Sequence, residues 1–340
     1  MDELERTVVQ IAEARRLAMP GDVPRGRIYL LLLDNAAEMS LMRTARAKMD
    51  MAELFDGLLH RMRDVPVDDE EGRRLKADIK LRSLSRTRRK KIERNYEALV
   101  DYVFEDGFAL GDEYASCLKI LHRYRNAAYH RDTVRADVLG PAVQILFFLC
   151  CHLLKSEKDN MRQIGQVPAG IASVLDGNLP KSTLPADLFD TEALANHVAD
   201  YFLDSLKLDH FGISRALSRH LLARLDALLD NLDEIGEFIP PGVTRQVTLR
   251  LVQQAPQGFA DVETELPEDF WTRPLSVTEK VIEDWFHEAR CLSEIPVATD
   301  VLRAFAEIEE VLEVVEEAVD RCIVSIDREA QLRIDEMRGK

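Results

Sequence analysis

Apolar residues recur every three or four positions along most of this 340-residue chain, and the intervals between such stretches hold Pro, Gly, Asn or clustered acidic residues. That period is the face of an α-helix, and it predicts an all-α fold with little or no sheet. A first helix is expected over residues 3–18, stopped by Met19-Pro20-Gly21. A second is expected over 25–62, either continuous or broken near Asp50, with Ile28, Leu31 and Leu32 facing a core. After a polar loop at 64–72, one long helix is expected over 73–104, with Leu99, Tyr102 and Val103 in its second half. A break at 107–111 precedes a fourth helix over 112–128. A fifth, over 133–155, repeats Val143, Leu146, Phe147, Cys150 and Leu154 at helical spacing.

These helices close a first domain, residues 1–160. Turn-forming residues follow in Gly165-Gln166-Val167-Pro168 and at Pro180 and Pro185, the chemistry of a linker. A second helical domain, residues 161–340, is expected to hold helices over 192–206, 214–231, 243–254, 276–288 and 298–337. In the last of these Val301, Ile308, Leu312, Val315, Val319 and Ile326 form a stripe among acidic residues. The stripe suits either a coiled-coil seam or packing on its own domain.

Composition supports this reading. Apolar residues make up 46% of the chain, enough for two cores, and 31% charged residues with few Gly and Pro favour long solvated helices over turn-rich β structure. The five cysteines are odd in number and lack C-x-x-C spacing, which argues against a disulfide framework or zinc site and for a reducing compartment. The first residues show neither a basic leader nor an apolar stretch of the secretory kind. The longest apolar run, 145–154, is shorter than the roughly 20 residues of a spanning helix, so no membrane segment is expected and the location is read as cytoplasmic.

The formal charge of −16 hides a division. Residues 1–160 hold 28 Lys and Arg against 27 Asp and Glu, whereas residues 161–340 hold 17 against 34. Within the first half, residues 73–94 gather eleven Lys and Arg against only Asp78 and Glu93. Such a concentration attracts phosphate backbones, and Arg86, Arg88, Arg89, Lys90 and Lys91 are the candidate RNA contacts. The alternatives are a solvated helix face or a surface docked on acidic residues of the same chain.

The candidate chemistry lies on the fourth helix, in Arg125-Asn126-Ala127-Ala128-Tyr129-His130. Leu118, Leu121, Tyr124 and Ala128 mark an inward stripe, and Arg125, seven residues after Leu118, falls on it. A guanidinium placed there must be paired, line a cleft or face an interface, because burying it alone costs several kcal/mol by order of magnitude. His130 is five positions further, about 140° away around a continuous helix. The two converge only if the helix ends near Tyr129, with Asp132 or Thr133 capping the next one, or if a second subunit supplies another copy.

At these residues, and in the order of elements over about residues 20–160, the chain resembles the HEPN family, helical bundles whose nuclease members carry Arg, four to six residues, then His. The resemblance implies a metal-independent endoribonuclease with no cofactor, acting through attack of the RNA 2′-hydroxyl on the adjacent phosphate. It implies proton transfer by His130, phosphate binding by Arg125 and an orienting role for Asn126. Asp34 and Glu38, four apart on the second helix, are candidates to fix Arg125. A homodimer, a toxin or antiviral defence role and a regulatory or neutralising protein partner belong to the same expectation. The alternative is a non-catalytic helical module that binds RNA, a nucleotide or a protein.

Two further constellations are weaker. Arg215 and His220 repeat the spacing but place Ala216 where Asn126 stands, in the acidic half. His287 and Cys291 share a helical face without further soft ligands, so no metal site is assigned.

Overall fold

The structure is a computed structural model that describes residues 2–17, 22–62, 70–105, 108–130, 136–156, 164–179, 188–238, 243–254 and 269–339. Among these the fold is all-α, thirteen helices with one short two-stranded ribbon, and the chain forms two compact units, Met1–Leu208 and Asp209–Lys340.

In the first unit α1 (Asp2–Leu17) packs on α2 (Val23–Arg61), which also packs on α3 (Glu70–Arg82), α5 (Tyr96–Phe104), α6 (Asp112–His130) and α7 (Ala136–Ser156). The start of α2 follows from its residues: Asp22 accepts from the Arg25 amide at 3.0 Å, and Pro24 fills the first turn, where a missing N–H costs nothing. No break occurs at Asp50. The single helix expected over 73–104 is three instead. Ser85 accepts from the Arg88 amide at 3.2 Å and starts α4 (Arg86–Arg94), and Asn95 accepts from the Ala98 amide at 2.8 Å and starts α5. Both are N-cap residues, and their side-chain bonds replace the helical continuation.

The core of this unit joins Leu33, Ala37 and Leu41 of α2 to Leu99 and Val103 of α5, Leu118 and Leu121 of α6, and Ile145, Leu146 and Leu149 of α7. α7 is long and apolar enough by composition to cross a membrane, longer than the run 145–154 suggested, but most of its residues are buried in the bundle.

The expected boundary at residue 160 lies instead at 208/209. α8 (Ala169–Val174) packs on α1, and α9 (Thr191–Leu206) packs on α7, where Phe147 meets Phe202 edge-on at 5.8 Å. These contacts bind the segment after 160 to the first unit. The stretch read as linker also holds β1 (Ile164–Gln166), which pairs antiparallel with β2 (Leu188–Asp190). Pro180 and Pro185 lie outside the described residues. α9 ends at Lys207, whose φ of +43° is a left-handed stop close to the boundary.

In the second unit α10 (His210–Phe238) packs on α11 (Arg245–Gln254), α12 (Glu279–Leu292) and α13 (Ala298–Met337). Leu217, Leu221, Leu225 and Leu232 of α10 are buried, as are Val301, Ile308, Leu312, Val315 and Val319 of α13. The α13 stripe is therefore packed within its own unit as far as Cys322, and a coiled-coil seam over that length is excluded. Arg224 of α10 pins the pair, with Nε 2.8 Å and Nη2 2.5 Å from the Glu316 carboxylate and Nη1 3.1 Å from Glu309.

Candidate functional site

Three helices of the first unit meet around Asp34. It lies on the buried face of α2 with no exposed surface, flanked there by Leu33, Ala36 and Ala37. A carboxylate there needs partners from other elements. α6 supplies both. His122 Nδ1 lies 3.1 Å from each carboxylate oxygen, and Arg125 Nε lies 3.2 Å from Oδ2. The arginine contact is a charge pair rather than a directed hydrogen bond, because Nε has no acceptor in line. Residues 122 and 125 share one face of α6 because three helical steps leave them only about 60° apart.

Tyr96, the first residue of α5, completes the group. Its ring stacks on His122 with centroids 3.8 Å apart and planes within 4°. Burial, and then the negative charge of Asp34, hold the Tyr96 hydroxyl well above its ordinary pKa, so it stays protonated. Behind Asp34, the Cys150 thiol of α7 donates to the Leu33 carbonyl at 3.3 Å; burial raises its pKa and makes it a structural rather than a reactive thiol.

Arg125 reaches from this interior to the surface. A quarter of its side chain is exposed, against 18% for His122 and none for Asp34. Its Nη1 donates to the Asn126 amide oxygen at 2.8 Å, which occupies that oxygen and leaves the amide nitrogen as the group Asn126 can offer. Of the two acidic candidates, Asp34 sits on Arg125. Glu38, one turn on, makes no hydrogen bond or ion pair among the described residues, and its charge acts at a distance on Tyr96.

His130 is the last residue of α6, and its side chain lies outside the described residues, as do Asp132 and Thr133. Because the backbone stays helical through His130, the helix end expected near Tyr129 does not bring His130 round to Arg125. The two positions remain about 140° apart on the helix. The stripe does face inward, which limits what α6 can offer a second copy. Leu118 and Leu121 are fully buried against their own bundle, so they offer no patch to a second copy; only the last turns remain accessible, with Tyr124 and Ala128 half-buried and Tyr129 exposed.

The basic run divides between α3 and α4. Arg88 is ion-paired to Glu105 and lies over the Tyr102 ring, and Arg89 pairs with Glu53 at 3.2 Å and donates to the Met49 carbonyl. These two dock α4 on neighbouring helices of the same unit. Arg86, Lys90 and Lys91 point from the exposed faces of α4.

The repeated spacing at Arg215 and His220 falls on α10, where His220 is half-buried beside Phe305, with ring centroids 6.1 Å apart. His287 and Cys291 approach to 3.8 Å on α12. Among the described residues no three His, Cys, Asp or Glu side chains converge as a metal site would require.

The residue that sequence reasoning passed over is His122. Its position three before Arg125 was a usable signal, but its partner Asp34 is 88 residues away in the chain. No family profile, curated protein or solved structure matches this chain.

Proposed function

We propose that the chain is a metal-independent endoribonuclease of the HEPN type, with Arg125 binding the scissile phosphate and His130 transferring a proton. The observation that carries the proposal is Arg125 itself. It is anchored at one end by a wholly buried carboxylate from another helix and reaches the surface at the other, five residues before a histidine. An arginine preorganised in this way can offset charge developing on phosphate oxygens without paying reorganisation during the reaction. Asn126, already held by Arg125, adds an amide donor beside it. Exposed Arg86, Lys90 and Lys91 supply the backbone attraction an RNA substrate needs. The separation of Arg125 and His130 around α6 favours a two-fold dimer in which the last turns of two α6 helices share one cleft. A cytoplasmic toxin or antiviral defence effector, with the acidic second unit regulating it or binding a neutralising protein, is the setting we infer.

The test is cleavage of RNA with EDTA present, with products carrying a 2′,3′-cyclic phosphate and a 5′-hydroxyl. His130→Ala should lose cleavage and keep its helicity, while His220→Ala should cut at the wild-type rate. Cleavage that needs His220 and not His130 would move the site to the second unit.

A further inference from the structure

A ribonuclease that works without a metal needs a group to take the 2′-hydroxyl proton while a cation holds the phosphate. On α6 the histidine that shares the face of Arg125 is His122, about 60° away and roughly 4.5 Å along the axis, whereas His130 is about 140° away. Four observations fix what His122 can do. Its Nδ1 faces both oxygens of Asp34 at 3.1 Å. With Nδ1 donating to the Asp34 carboxylate, Nε2 is the nitrogen that carries the lone pair in the neutral imidazole. The Tyr96 ring, parallel at 3.8 Å, locks the imidazole plane. Among the described residues Nε2 has no hydrogen-bond partner, and 18% of the side chain remains exposed beside the similarly exposed Arg125. A buried carboxylate that orients an imidazole and sets its tautomer, with the other nitrogen left unpartnered, is the arrangement by which an acid residue prepares a histidine for proton transfer.

We propose that His122 is a catalytic residue, the base for RNA cleavage, and that Asp34 and Tyr96 are its positioning residues; the proposal rests on the ribonuclease reading above. The His122 Nε2 accepts the proton of the ribose 2′-hydroxyl as the O2′–P bond forms and the P–O5′ bond breaks. Arg125 holds the non-bridging oxygens, and the departing 5′-oxygen takes a proton from His130 or from solvent. The substrate class follows: RNA is cut, and DNA, which has no 2′-hydroxyl, is only bound.

His122→Asn separates catalysis from support, because the Asn amide can still donate to Asp34 but has nothing to titrate. Full-length wild type, His122→Asn and His130→Ala are compared on a labelled RNA oligonucleotide with EDTA, from pH 5 to pH 9. His122→Asn should lower kcat by about 10²-fold or more at little-changed KM and remove the acidic limb of the pH profile. A wild-type rate with that limb intact would reduce His122 to a prop for Asp34, while loss of cleavage in His130→Ala would leave the ribonuclease reading standing. A wild type that cuts no RNA overturns both. Histidine ¹⁵N NMR of the wild type supplies a check that needs no variant. With a 2′-deoxy-substituted oligonucleotide bound, the His122 Nε2 resonance should shift, and an unmoved resonance would place the nitrogen away from the substrate.

Discussion

Removing one partner from the Asp34 pair should expose how strongly the buried carboxylate and Arg125 depend on each other. At 3.2 Å and an effective dielectric constant of about 20, their gross attraction is about 5 kcal/mol. Desolvation, the exposed quarter of the arginine and the misaligned Nε reduce this, and a coupling of about 2 kcal/mol is expected. The single variants should be unequal. Arg125→Ala leaves a carboxylate with no exposed surface and His122 as its remaining partner, a loss of about 3–4 kcal/mol; Asp34→Ala leaves two side chains that can turn towards water, a loss of about 2–3 kcal/mol. At roughly 2–4 °C per kcal/mol for a unit of this size, the thermal midpoint falls by about 5–15 °C. The chromophores divide cleanly: all seven tyrosines lie in the first unit and both tryptophans, Trp271 and Trp285, in the second. Urea titrations followed by tyrosine near-ultraviolet circular dichroism report the damaged unit, and tryptophan fluorescence serves as the internal control. Additivity of the two changes within about 0.5 kcal/mol in the double variant would refute the pairing.

Reversing charge at Arg86, Lys90 and Lys91 should weaken RNA binding at 50 mM salt by at least tenfold and flatten the slope of log affinity against log salt by about two to three, measured by fluorescence anisotropy. Reversal at Arg88 and Arg89 should instead destabilise the first unit, because those two hold Glu105 and Glu53. In the second unit, partial desolvation of an otherwise exposed side chain, and then the nearby Glu309 charge, raise the pKa of Glu313 above its ordinary 4.5. A raised folded-state value means that its stabilising contribution is full below the unfolded pKa and is lost as pH rises through the folded one. Glu313→Gln should therefore melt higher than wild type at pH 7, by roughly 1–3 °C after discounting for solvent screening, with the gap closing below pH 4.5. A gap that does not change with pH would mean that packing, not charge, is at work.

The helices were legible because their apolar periods are strong. α13 was read with the same bounds the structure has, and α1, α2 and α9 to within a residue or two. What escaped was local chemistry competing with the period. Ser85 and Asn95 sit inside one continuous helical pattern, yet each offers the backbone a side-chain acceptor, and the helix restarts there. The unit boundary escaped for the opposite reason. Gly165 to Pro168 reads as a linker, and long-range contacts that no local pattern announces, α8 on α1 and Phe147 on Phe202 among them, tie the following segment back to the bundle.

The site shows the same division between what spacing can and cannot tell. Periodicity placed Arg125 on the inward face and required it to have a partner, and it offered Asp34 and Glu38 equally because they lie one turn apart on α2. Depth separates them: Asp34 is level with the α6 residues that approach α2, while Glu38 is half-buried with no bonding partner among the described residues. The same packing sets the choice of histidine. A motif read along the sequence pairs Arg125 with the residue five positions on, but a helix presents side chains by angle, and the neighbour three positions back faces the same carboxylate. A helix that stays regular through His130 therefore sets positions 122 and 130 at different angles to Arg125, about 60° and about 140°. On the proposed ribonuclease reading, His122 serves Arg125 within one chain, with His130 contributed across a two-fold cleft.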